Sequence, residues 1–367
     1  MYKDKLATSI LALVDDMVGI TEAGYKAQQM NAIINTRSAE KRLQFGVQKC
    51  KIMIIGNTDS VMNSNLQVDS WNVRYNMKEE TNNYLFEETY NGKIQIDKTE
   101  NQKYLGFFLS SRGNNMVNIK EMEKKSIWVS KRIFNRLQGL NLKQYYFQCG
   151  LLFLNIILRS SILYASETYY NLKENELRTL ERIEEKFIRK LLKTSRGCPI
   201  SQIYLETGHI PARFEIYRRR CLFFKDILDG NPESMIYKFI MVQHKHPTRG
   251  DWVSSCLRDL RYLDINFSLE EIQVLKKTEF RKILKQSIEK KALEYLLEKR
   301  GSKGCEIQYS SMKMAEYLSP TYEQLSLNDQ RYIFAIRNRM IELEHNFRKQ
   351  LPEEKSICGD QMTQQHI

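Results

Sequence analysis

The chain has 367 residues, with 57 Lys and Arg against 44 Asp and Glu and a formal net charge of +13 at pH 7. Hydrophobic residues at 42% and charged residues at 28% exclude a disordered chain, and 16 Gly with 6 Pro exclude collagen-like and Pro-rich classes. The positive excess points to a polyanionic partner, the alternative being a surface of solvated lysines.

Residues 6–21 place two apolar, strand-like runs around Asp15-Asp16, which predicts a β-hairpin with the acidic pair at its turn. A helix is expected from Thr21 to about Leu43, with Ala27, Met30, Ile33 and Ile34 on one face. Lys51–Ile55 reads as a buried strand and 57–83 as a polar loop or insertion. Asn91-Gly92 between YLFEETY and KIQI predicts a hairpin with a type I′ turn, followed by a last strand, Tyr104–Ser110. The Ile94–Ile96 and Tyr104–Phe108 strands are expected near one sheet.

Beyond Gly113 the pattern is helical. Ile119, Met122, Ser126, Val129, Ile133 and Leu137 recur at helical steps up to Gly139, and Lys120, Lys124, Lys125, Lys131, Arg132 and Arg136 cover the rest of that helix. Residues 142–168 suggest one or two apolar helices. An amphipathic helix over 174–194 points Leu177, Leu180, Ile183, Phe187, Ile188 and Leu191 inward. Short helices follow, with a capping box at Ser268–Glu271, a basic helix at about Thr278–Arg300 and another from about Asn328 carrying Arg331, Arg337 and Arg339.

Seven dispersed Cys suggest reduced, intracellular thiols. The most apolar stretch, Leu151 to Ala165, is broken by Asn155, Arg159, Ser160 and Ser161, so no membrane span is expected. Lys3 and Lys5 before Leu6–Val14 resemble a short signal peptide, but the run ends at Asp15-Asp16 without a small-residue cleavage site. P-loop, G-x-G-x-x-G, H-E-x-x-H and G-x-S-x-G patterns are all absent, which removes support for hydride transfer, zinc proteolysis and serine hydrolysis.

Paired carboxylates at a hairpin tip repel each other when desolvated, and a divalent cation neutralises them. Mg²⁺ held by carboxylates and substrate phosphates is the usual arrangement for nucleotidyl transfer. An ordinary solvated turn is the other account of Asp15-Asp16.

ALVDDMVGIT resembles the third palm motif of the reverse transcriptases of non-LTR, LINE-type retrotransposons. LQFGVQKCKIMIIG resembles the fourth, with Lys49 at the place of its lysine, and Lys103-Tyr104-Leu105-Gly106 the fifth, the primer-grip turn. LYASETYYNL and RGCPISQIYLETGHIP are similar to segments after the thumb in such elements. Cys358 and His366 look like part of a terminal zinc knuckle, with Lys355 where its first Cys is usual.

The resemblance implies an α+β, mostly α fold: a partial palm over 1–112, a helical thumb over 113–195, a helical extension over 196–345 and a tail. It implies RNA-directed DNA polymerase ancestry with an RNA template, a DNA primer or an RNA–DNA duplex as partners. Asp15 and Asp16 would be catalytic and bind Mg²⁺. Lys49 would be catalytic or neutralise phosphate, unless it is a plain surface lysine. Tyr104, Leu105 and Gly106 would form the primer grip. Lys120, Lys124, Lys125, Lys131, Arg132 and Arg136 would contact nucleic acid, with Arg218, Arg219 and Arg220 extending the track. A nuclear location is expected from the resemblance only.

Only 14 residues precede Asp15. The family's first-motif aspartate and fingers are therefore expected to be missing, and the isolated chain to be inactive. The alternative function is a non-catalytic helical nucleic-acid-binding module. His244-x-His246 near Asp251 is better explained as a polar loop than as a metal site.

Overall fold

The computed structural model describes residues 9–13, 16–21, 24–40, 50–55, 67–78, 83–140, 142, 145–194, 197–248, 250–300, 309–319 and 325–338. Over these residues the chain is mostly helical and divides into two units, Met1–Asn118 and Ile119–Ile367.

In the first unit, β1 (Ser9–Leu13) and β2 (Asp16–Ile20) pair antiparallel, from Ser9↔Ile20 to Leu13↔Asp16. The helix α1 (Gly24–Glu40) follows, with Ala27, Met30 and Ile34 half-buried but Ile33 exposed. The expected strand Lys51–Ile55 shrinks to β3 (Lys51–Ile52), and Ile55 is 75% exposed.

Three further expectations are corrected. The supposed loop at 57–83 contains β4 (Gln67–Lys78), where Trp71, Val73, Tyr75 and Met77 alternate with polar residues at the period of a strand. Asn91-Gly92 is not a hairpin turn. It lies inside β5 (Asn83–Gln95), which pairs antiparallel with β4. The register steps from Asp69↔Lys93 to Trp71↔Tyr90, so Asn91 and Gly92 oppose Ser70 alone in a bulge. The backbone freedom of Asn-Gly serves a bulge as readily as a type I′ turn.

The third correction is the shared sheet. β6 (Asp97–Lys98) pairs in parallel with β3, where Lys51 Nζ lies 2.7 Å from Asp97 Oδ2. β7 (Asn101–Tyr104) and β8 (Phe107–Ser110) pair with each other, so the expected single strand Tyr104–Ser110 is a hairpin. Among the described residues the strands form four separate two-stranded sheets, with Ile94 in β5 and Tyr104 in β7 belonging to different ones. A small cluster of Ile96 with Ala27, Cys50 and Ile52 joins α1 to β3.

The helix α2 (Asn115–Gly139) crosses from the first unit into the second. It is followed by α3 (Tyr146–Phe153), which continues through a π-helical turn at Leu154–Leu158 into α4 (Arg159–Ile162). Then come α5 (Glu174–Leu192), α6 (Ile200–Thr207) and α7 (Ala212–Leu228). The remaining helices are α8 (Met235–Lys245), α9 (Trp252–Tyr262), α10 (Leu269–Val274), α11 (Lys277–Arg300) and α12 (Leu327–Arg337). Ser268 caps α10 and Glu271 returns the bond; Ser326 and Asp329 do the same for α12.

The six inward residues expected on α5 are buried, and the Phe187 ring lies 4.8 Å from that of Phe134 on α2. A larger cluster joins Phe214, Cys221 and Phe224 of α7 to Cys256 and Leu260 of α9 and to Phe280, Leu284 and Ile288 of α11. Gly208 ends α6 with φ +62°, and a Cβ there would stand 2.4 Å from the Met314 backbone nitrogen, so glycine is required twice over. Cys50, Cys149, Cys198, Cys221 and Cys256 are free thiols. Among the described residues no helix is long and apolar enough to cross a membrane.

A buried charged group lies beside these cores. Arg159 follows the π-helical turn and points Nε at Glu184 Oε1, 2.5 Å away, and Nη2 at Glu184 Oε2, 3.2 Å away. The same Nη2 donates to the Ile210 carbonyl, and Nη1 donates to Asn155 Oδ1 at 3.2 Å. Glu184 has no solvent exposure, yet Arg159 and neighbouring His209 hold its carboxyl down to about 2 against the effect of burial. Burial and the Arg159 charge push His209 down to about 4, so it is neutral near pH 7. Its Nε2 is 3.8 Å from Glu184 and its ring stacks on Tyr204.

Replacing Arg159 by Ala strands a buried carboxylate and should cost about 3–5 kcal/mol, whereas Arg159→Met with Glu184→Leu should recover most of that loss. Denaturant titration of the three proteins checks this. An equal loss in the double variant would show that the ion pair itself stabilises the unit.

Stability should also fall in acid. His209 has a folded pKa below its unfolded value, so its contribution is complete above about 6.5 and is lost as pH falls through about 4. Glu184 extends the loss from about 4.5 down through about 2. Asp259, raised to about 6 by burial, acts in the opposite sense and gains stability as pH falls from 6 toward 4. Melting temperatures between pH 7 and 4 should therefore fall less steeply in His209→Gln than in the parent. Parallel pH profiles would remove His209 as the titrating group.

Candidate nucleic-acid interface

Solvent and core divide α2 lengthwise. Ile119, Met122, Ser126, Val129, Ile133, Phe134 and Leu137 are buried at three- and four-residue steps. Lys120, Lys124, Lys125, Lys131, Arg132 and Arg136 are all exposed. Sixteen residues of helix separate Lys120 from Arg136, a basic face about 24 Å long. Lys124 Nζ lies 2.6 Å from Glu121, while Lys120, Lys125, Lys131 and Arg136 have no carboxylate partner among the described residues.

Two large apolar side chains share this face. Ile127 is 71% exposed and Trp128 59%. The Arg132 guanidinium stands over the Trp128 ring, 4.4 Å from its centroid. Sequence reasoning passed over both residues. The signal for them was their position off the buried stripe, where an apolar residue gains nothing from the core.

The expected extension of the basic track does not form. Arg218 and Arg219 both bond Glu215, one turn earlier on α7, and Arg219 also donates to the Leu163 carbonyl. Arg220 is buried, 2.8 Å from Asp259, and donates to the Tyr169 carbonyl. Partners distant in sequence thus take up Arg219 and Arg220. Arg331 and Arg337 of α12 are similarly engaged, with the Leu191 carbonyl and with buried Glu206.

Leu105 and Gly106 form the two-residue turn between β7 and β8, with φ of +47° and +82°. Both angles suit a right-twisted hairpin, but leucine is strained there. Tyr104 pairs with Phe107 at the turn, and the Phe108 amide donates to Asn118 Oδ1 at 3.1 Å, tying the hairpin to the start of α2.

Of the acidic pair, Asp16 opens β2 opposite Leu13. Asp15, Lys49, Lys355, Cys358 and His366 lie outside the described residues, as does the side chain of Asp16. Among the described residues no cluster of three or more His, Cys, Asp or Glu could hold a metal ion. His244 and His246 are exposed at the end of α8, and Asp251 is committed to capping α9 through the Ser254 amide at 2.6 Å. The arrangement therefore offers two features: a cationic helical face with an aromatic at its centre, and a strained turn.

Comparison with protein-family models, curated proteins and solved structures returned no match.

Leu105→Asn should stabilise the first unit by about 1 kcal/mol, because Asn tolerates the left-handed region better than Leu. Thermal melts monitored on that unit check it. A loss of stability would mean that packing by the Leu105 side chain outweighs its strain.

Proposed function

We propose that the chain is the C-terminal part of an RNA-directed DNA polymerase of the retrotransposon type and that α2 belongs to a thumb that grips nucleic acid. The observation that carries this reading is the solvent face of α2: six cations, of which only Lys124 meets a carboxylate among the described residues. Phosphates are the ligand such a face fits, and contacts to them give affinity without sequence information. The order of the third, fourth and fifth motif-like segments ahead of this helix supports the polymerase assignment.

In this reading Asp15 and Asp16 would hold Mg²⁺, for which carboxylate oxygens are suited ligands, and the ion would neutralise phosphate charge during nucleotidyl transfer. Lys49 would neutralise phosphate, and the Tyr104–Gly106 turn would support the primer end. The chain's partners would be an RNA template and a DNA primer, in a nuclear setting. A second reading, a non-catalytic helical nucleic-acid-binding module, draws on the fact that all six cations belong to the second unit.

Binding of the chain to an RNA–DNA duplex should weaken with salt at a log–log slope of roughly −3 to −4, for about three to five phosphate contacts. Lys124→Ala, Lys131→Ala and Arg132→Ala together should flatten the slope by about 2 to 3, with circular dichroism unchanged. An unchanged slope would assign these charges to solvent. The two readings separate on Asp15→Asn with Asp16→Asn at fixed Mg²⁺. Weaker binding to a primer-terminated duplex favours the polymerase fragment, and unaltered binding favours the module.

A further inference from the structure

The four helical neighbours of Trp128, three and four residues away on either side, are Lys124, Lys125, Lys131 and Arg132. Every one is a cation. Two unfavourable features meet here. Exposed indole and Ile127 surface contacts water. Like charges at i,i+4 spacing, Lys120 with Lys124 and Arg132 with Arg136, repel along the helix. Solubility would be served by the lysines alone, and the fold by an apolar residue on the buried stripe. A ligand that presents a flat π surface next to negative charge offsets both costs at once.

We infer that Trp128, backed by the Arg132 guanidinium, is a stacking shelf for an unpaired nucleic-acid base whose flanking phosphates lie along the lysines of α2. This rests on the nucleic-acid reading above and deepens it: α2 distinguishes a strand with a free base face from one without. Within a duplex both faces of each internal base are covered by its neighbours. Only an unpaired or terminal base offers a face to the indole, and such stacking tolerates any base. The Arg132 guanidinium, 4.4 Å from the ring centroid, braces the indole in its exposed position.

The test compares two single strands of equal length and charge, an oligothymidylate and its abasic counterpart, bound to the full chain. The parent should bind oligothymidylate about 5- to 150-fold more tightly, the range that one stacked base contributes. Trp128→Ala should lower that affinity to the abasic value and leave the abasic affinity unchanged, while Trp128→Phe keeps most of the preference. Equal affinities of the parent for the two strands, with salt dependence intact, would overturn the shelf and leave the phosphate-gripping reading standing. This comparison needs no variant, so misfolding cannot obscure it. A loss of both affinities in Trp128→Ala would also overturn it, since stacking alone cannot weaken abasic binding. Absence of salt-dependent binding to either strand would overturn both readings and turn attention to an acidic protein segment as the partner of α2.

Discussion

The second unit is organised around an ion pair whose carboxylate is closed to water. Glu184 comes from α5, Arg159 from the end of the π-helical turn, and the Ile210 carbonyl from the segment entering α7. Isolated burial of either charge would be prohibitive, so three separate pieces of chain must arrive together for any of them to be satisfied. The wider π turn adds a residue to the helix and sets Asn155 within reach of the same guanidinium. His209 is buried against this pair and stacks on Tyr204, which carries the constraint into α6. Such a group orders the fold by penalising the alternatives more than by adding net stability.

A second buried carboxylate works in the same way at the far end of α6. Glu206 has no exposure and accepts from the hydroxyls of Tyr309 and Tyr317 and from Arg337. It therefore ties the 309–318 segment and α12 to the helix that Gly208 terminates. Ser201–Thr207, which make up most of α6, are all buried. Within α6, Gln202 donates to the Tyr309 hydroxyl and Thr207 to the Ile203 carbonyl. The first unit differs in scale. Its described core is a cluster around Ile96, and its strands pair two by two.

Against this background α2 is unusual for where its charge goes. Buried arginines elsewhere are matched by carboxylates: Arg159 by Glu184, Arg213 by Glu181 and Arg220 by Asp259. On α2 most of the cations are left to solvent, and an indole stands among them. These solvent-facing charges are what the proposed polyanion contact draws on.

Local pattern was sufficient for much of the helical part. The stripe on α5, the capping box at Ser268 and the buried positions of α2 are set by residues three and four apart, and a helix is stabilised by such neighbours. The hairpin of β1 and β2 was legible for the same reason, from apolar runs on either side of Asp15-Asp16. Pairing between strands was not. Asn91-Gly92 suits a turn or a bulge equally, and the choice depended on β4, whose alternation lies in a segment that is otherwise polar. Which cations remain available was also beyond the sequence: Arg132 and Arg220 look alike in one dimension, and only the position of Asp259 and the Tyr169 carbonyl removed Arg220 from the surface. The sequence thus determined the helices and the sign of their charge, because those depend on near neighbours. Tertiary structure alone decided which charges are spent inside, because burial and ion pairing join residues far apart along the chain.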